Sequence, residues 1–135
     1  MTAPATLPPR ARRAPLQLER AEGHALVRLV SGCWWSPRLH HSPNEDMSAI
    51  GRQLAAAQGT RPGFPDYILP VAAGRFRGCA IELKAPRPHG RRPTPAQAEW
   101  LLFFEAQGWR VEICYGAEVA YAVLIDYMKA GVAPP

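Results

Sequence analysis

Fifteen residues separate Asp66 from the segment Glu82-Leu83-Lys84, and that interval is patterned as a hairpin. Asp66-Tyr67-Ile68-Leu69 reads as one strand and Phe76 to Lys84 as the other, with Gly74 and its neighbours in the connection. A hairpin sets Asp66 and Glu82 on neighbouring strands. Side chains alternate along a strand, so Glu82 and Lys84 share one face while Ile81 and Leu83 take the other. A chain carrying this unit has to build a sheet around it.

The flanking segments supply the rest. From about Leu16 to Val30 the apolar residues Leu16, Ala21, Ala25, Leu26, Leu29 and Val30 form a helical stripe. Glu19 and Glu22, three apart, share a face of that helix, and Gly23 weakens it locally. Trp34, Trp35, Leu39 and His41 predict an extended segment, closed by the turn signal Ser42-Pro43-Asn44. Met47 to Ala57 reads as a short helix and Gly59 to Gly63 as a loop. Thr94-Pro95-Ala96-Gln97 is a helix start: an N-cap, a proline at the first helical position and the Gln of a capping box. That helix is expected to stop at Gly108.

Trp109 to Tyr115 alternates, with Trp109, Val111, Ile113 and Tyr115 expected inward and Arg110, Glu112 and Cys114 outward. Ala117 to Ala130 reads as a last helix with Val119, Val123, Leu124 and Tyr127 inward. The order is αβββαβ followed by a helix, which predicts an α/β domain: a mixed sheet flanked by helices. With 135 residues, one domain is expected over 16–130, after a disordered basic arm (1–15) and before a short tail (131–135).

Charge points to a partner. The formal net charge is +5, and 14 of the 16 basic residues are arginine, whose fork suits phosphate oxygens. A genome rich in G and C would give the same arginine bias, so position carries more weight. Arg75, Arg77, Lys84, Arg87, Arg91 and Arg92 crowd one stretch with Glu82 as its single acid, whereas acids outnumber bases from Glu99 onward. Cys33, Cys79 and Cys114 are odd in number and contain no Cys-x-x-Cys pair, which argues against a zinc site or a disulfide framework and for reduced thiols in a cytoplasm. No apolar run has the length of a membrane span, and no hydrophobic stretch follows Arg10, Arg12 and Arg13 as a secretion signal would require.

Two carboxylates on one sheet face suit Mg²⁺ or Mn²⁺, which prefer hard oxygen ligands. Such an ion acidifies water and neutralises charge on a phosphodiester under attack. Lys84, a cation beside two carboxylates, is read as a stabiliser of the charged transition state rather than as a base. Any Glu-x-Lys taken alone is an ordinary ion pair on a solvated strand. Here Ile81 and Leu83 bracket Glu82, Gly63-Phe64-Pro65-Asp66 leads into the first strand, and a basic loop follows where a phosphate backbone would pass.

In this setting the chain resembles the VRR-NUC family of the PD-(D/E)xK nuclease superfamily. The similar elements are Ser42-Pro43-Asn44-Glu45, Gly59 to Asp66, Ile81 to Lys84, and Thr94 to Gln97 ahead of Gly108-Trp109-Arg110-Val111. They occur in the family's order and span roughly 16–130. The resemblance implies a restriction-endonuclease-like core and a metal held by Asp66 and Glu82, with the backbone carbonyl of Leu83 as a further ligand. It also implies an acidic residue on the first helix: Glu19, chosen because Leu26-Val27 lies one family-like interval later, with its neighbour Glu22 as the alternative. The family's usual Gln one turn later is replaced here by the Gly23-His24 region. Gln97 matches a family Gln near the active site and equally a capping-box residue. Asn44 and His41 match a segment leading into the core and equally a plain Asx turn. Arg61, Arg75, Arg77, Arg87, Arg91, Arg92 and Asn44 are the expected DNA contacts. His24, His40 and His89 belong to no constellation. Trp34 and Trp35 could stack on bases, but core or dimer packing is the simpler use.

The chain is similar to the stand-alone, phage-like kind within that family. The resemblance then implies a homodimeric, structure-selective endonuclease acting on branched DNA, including Holliday junctions. Two other readings fit the same residues. A sequence-reading restriction-like or homing-type endonuclease would need residues at base edges in the major groove. A non-catalytic nucleic-acid-binding module would not need the complete Asp66, Glu82 and Lys84 set.

Overall fold

The computed structural model describes residues 9–42 and 48–133, with side chains from Gln17 onward. In chain order the elements are α1 (Pro9–Val30), a 3-10 turn (Ser36–Arg38), β1 (His40–His41), α2 (Ala49–Ala57), β2 (Tyr67–Leu69), β3 (Cys79–Lys84), α3 (Pro95–Ala106), β4 (Arg110–Tyr115) and α4 (Ala117–Met128). One sheet runs in the order β1-β2-β3-β4. The first two pairings are antiparallel and β3–β4 is parallel, so a helix must cross between the last two strands. This is the mixed, helix-flanked sheet expected from the pattern of elements.

The main core lies between the sheet and the pair α1 and α4. Leu26 and Val30 of α1, Leu69, Ile81, Leu83 and Cys114 of the sheet, and Leu124 of α4 are all essentially fully buried. Each large aliphatic there contributes roughly 1.5–3 kcal/mol of burial. The opposite face carries α3, whose deeply buried residue among those described is Leu101. Phe104 of α3 stacks edge-on to Trp109 at 5.0 Å.

Several boundaries differ from the sequence reading. Helix α1 starts at Pro9, inside the segment expected to be a disordered arm, and runs through Pro15. The extended segment at Trp34 to His41 shrinks to a two-residue strand because Pro37 sits in a 3-10 turn. Trp35 enters the core and Trp34 stays exposed. Strand β3 begins at Cys79 rather than Phe76. The Cα of Gly78 lies against the indole of Trp109, where a Cβ would come within 2.4 Å, and Phe76 instead pairs with Ala73 across the tight turn at Gly74. Met47, the expected start of α2, lies outside the described residues; the helix is capped by the Ser48 hydroxyl, which accepts from Gly51 N–H at 3.0 Å.

One expected face is inverted, and one residue of another is displaced. In β4, residues 110–112 are all half-buried, Cys114 is the fully buried residue and Ile113 is 38% exposed. The register explains it: Cys114 lies beside Leu83 in the main core, while Ile113 lies beside Glu82 on the α3 side. In α4, Val119 is exposed and Ala120 is buried. A small side chain there lets α4 approach its neighbours, a choice that hydrophobicity alone does not signal.

Candidate active site

The antiparallel register pairs Tyr67 with Ile81, so the next step outward sets Asp66 opposite Glu82. At that point β2 has ended and β3 continues, opening a fork. Asp66 is pinned in the fork from both sides. Its Oδ2 accepts the Leu83 N–H at 2.8 Å, and its carbonyl accepts the Ser42 N–H at 2.8 Å. The preceding loop is held by Gly63, whose φ of +81° and approach to the α3 backbone leave no room for a side chain. That contact also carries the N-terminus of α3, and with it Gln97, to the same end of the sheet.

Glu82 is 1% exposed and Lys84 5%. Their side chains form an ion pair at 3.5 Å. Gln97 Oε1 accepts from Lys84 Nζ at 3.0 Å and from the Thr94 N–H at 2.8 Å. One oxygen therefore both closes the capping box and meets Lys84. Helix α3 is capped by the atom that aims Lys84.

Electrostatically the site is short of positive charge. Burial pushes the Glu82 carboxyl up to about 9, and the neighbouring Asp66 adds to the rise, while Lys84 opposes it. Glu82 Oε2 is buried with no donor to satisfy it, and its carboxyl lies against that of Asp66, a contact that needs a proton or a cation between the two. Leaving such a group unsatisfied costs roughly 1–3 kcal/mol or more, and an ion is a standard reason for one to persist. A hard divalent cation beside Asp66 and Glu82 fits this chemistry. Among the described residues, no three His, Cys, Asp or Glu groups converge tightly enough to form a complete cage.

The two first-helix glutamates go separate ways. Glu19 lines a cavity of about 350 Å³ together with Asp66, Tyr67 and Leu83. Glu22 Oε2 accepts the Ala117 N–H at 2.7 Å and so caps the start of α4. Gly23 lies between them, and its missing side chain admits the Tyr67 hydroxyl, which a Cβ would meet at 2.7 Å. Arg20, His24 and His41 line the Glu19 cavity as well. The sequence reading assigned nothing to Arg20 and His24. Their i, i+4 spacing around Gly23 was the available signal.

The expected DNA contacts scatter. Arg87 lies over the Tyr115 ring at 4.4 Å, and the Arg91 carbonyl receives the Tyr115 hydroxyl at 3.4 Å, so this loop with Arg92 borders the Lys84 end of β3. Arg61 reaches the Ala56 carbonyl at 3.4 Å, near the Asp66 loop. Arg75 stacks on Phe76, and Arg77 lies beside Gly108, both at the opposite end of β3. Arg77 precedes Glu82 by five steps along the chain, about 16 Å if extended. Asn44 lies outside the described residues. No helix among the described residues is long and apolar enough to cross a membrane.

Comparison with known proteins gives a consistent result. The VRR-NUC domain family model matches residues 21–118. That span contains Asp66, Glu82, Lys84 and Gln97, and begins two residues after Glu19. A solved structure described as a VRR_NUC domain protein matches with a TM-score of 0.73 at 23% identity, covering 84% of this chain and 90% of the other. The comparison with curated proteins gives no match.

Proposed function

The chain belongs to the VRR-NUC domain family, and from that premise we propose that it is a metal-dependent DNA endonuclease selective for branched structure. The observation that carries the reading is the buried, unpartnered Glu82 Oε2 beside Asp66 and Lys84. Asp66 and Glu82 would hold Mg²⁺ or Mn²⁺, with Glu19 and the Leu83 carbonyl completing the set from the neighbouring cavity wall. Such an ion supplies positive charge to phosphate oxygens and acidifies water for phosphodiester hydrolysis.

The chain's own residues do the rest. The Leu83 N–H fixes the Asp66 carboxylate, so that group needs no reorganisation during the reaction. Gln97 holds the Lys84 ammonium on the same face as Glu82, where it stabilises charge gathering on the phosphate. Arg87, Arg91 and Arg92 border that end of the sheet and supply sequence-independent attraction to the backbone. Holliday-junction resolution and a homodimer belong to the same proposal. Exposed Ile50 and Leu54 on α2, a helix with no buried residue among those described, support an association surface.

The test is a cleavage assay with Mg²⁺ or Mn²⁺ over four-way junctions, flaps, bubbles and linear duplexes of matched sequence. Cleavage of branched substrates well above the linear duplex is expected. Preference for one linear sequence would instead support a sequence-reading enzyme. No cleavage of any substrate, with metal present, would favour a binding module.

A further inference from the structure

Strand β1 separates two hollows. His41 faces the cavity that contains Asp66. His40, the next residue back, faces a hollow of about 280 Å³ on the other side, walled by Phe64 and Trp100 and edged by Ser42, Thr60 and Arg61. The two walls are rings in edge contact, 5.1 Å between centroids and 72° between planes. The indole N–H of Trp100 is already engaged, donating to the Pro62 carbonyl at 3.1 Å, so the indole is oriented by that bond rather than free to swing. The rim offers two hydroxyls, an imidazole and a guanidinium.

Position gives this hollow its meaning. Phe64 and Asp66 are two residues apart, a reach of about 7 Å at most. Ser42, on its edge, donates its N–H to the Asp66 carbonyl. The hollow therefore lies within about one nucleotide of any phosphate processed at Asp66. An apolar aromatic wall with a hydrogen-bonding rim of this size suits one flat heterocycle and not a base pair.

We infer that the hollow bounded by His40, Thr60, Arg61, Phe64 and Trp100 receives a single unpaired nucleobase from the nucleotide next to the scissile phosphate. The inference rests on the nuclease reading and gives it a physical source of structural selectivity. A base enters without an unpairing cost only where pairing is already broken, as at a disrupted branch point, whereas a continuous duplex must break pairing and stacking to fill the hollow and so gains less from it.

The test reads binding separately from cutting. A fluorescein-labelled branched DNA with unpaired nucleotides at the branch is titrated with protein in EDTA and followed by anisotropy. Each unpaired nucleotide is replaced in turn by an abasic spacer. One position should weaken affinity about tenfold, the scale of a single base–aromatic stack, and the others much less. In Thr60→Phe, whose ring fills the hollow from its exposed edge, the same spacer should have no further effect. A Tm close to wild type establishes that this variant folds. Equal affinity for all spacers in the wild-type protein would overturn the inference, as would an unchanged spacer effect in Thr60→Phe. Cleavage of the parent DNA in Mg²⁺, run in parallel, reports on the nuclease reading itself, so either can fail alone.

Discussion

The two halves of β3 are equally buried and differently satisfied. Cys79, Ala80 and Ile81 are fully enclosed, and Ile81 belongs to the main core. The Cys79 thiol is pushed up to about 12 by burial, which keeps it protonated and inert. Glu82, Leu83 and Lys84 are just as hidden, yet they hold two ionisable groups and an orphaned oxygen. Burial at the first half lowers the free energy of the fold. Burial at the second half raises it, a cost that the proposed cation would relieve. A strand that is uniform by accessibility is thus divided by chemistry, with the boundary where β2 stops pairing.

The sharpest way to break this comparison is to change each half and watch which property moves. Lys84→Ala and Glu82→Gln should lower DNA cleavage by about 10²–10³-fold or more, the scale of removing one preorganised electrostatic group, while binding of branched DNA persists. Gel-shift and cleavage assays on the same preparations check this. Ile81→Ala should do the reverse. It should cost roughly 2–5 kcal/mol in urea unfolding and leave metal affinity unchanged under conditions where the variant is folded.

A pH series separates the halves next. The folded-state value for Glu82, about 9, lies above its ordinary 4.5. Between those values the native state holds a proton that the unfolded state has released. Stability of the metal-free protein should therefore fall as pH rises from about 4.5, levelling off above about 9. A Tm series in EDTA should show that slope, and saturating Mg²⁺ should flatten it by stabilising the ionised carboxylate.

The smallest effects belong to the paired glutamates of α1. Glu22→Gln should cost about 1 kcal/mol of stability through the weakened α4 cap, with little effect on cleavage. Glu19→Gln should leave stability almost unchanged and weaken Mn²⁺ binding.

What was legible in the sequence follows the same division. Asp66, Glu82 and Lys84 could be placed together because hairpin register and strand alternation are local rules, and the Tyr67–Ile81 pairing brings Asp66 to Glu82 as expected. Gln97 was legible as a cap, and the Oε1 that makes the cap also accepts from Lys84. Glu19 could be preferred to Glu22 only on its interval to Leu26-Val27, because the role of Glu22 depends on where α4 begins, a contact across 95 positions of sequence. The β4 face was misread for a related reason. Its most hydrophobic residues line the α3 side, while the deepest place goes to Cys114, chosen by the parallel register with β3. The hollow beside β1 had no sequence signature, since Thr60, Arg61 and Trp100 meet only after Gly63 docks against α3.

The central claim is that Asp66 and Glu82 hold a divalent cation, and calorimetric titration with Mn²⁺ tests it most directly. The account predicts saturable binding to the wild-type protein that is lost in the Asp66→Asn, Glu82→Gln double variant, with the variant still folded by circular dichroism. Equal Mn²⁺ binding by both proteins would contradict it.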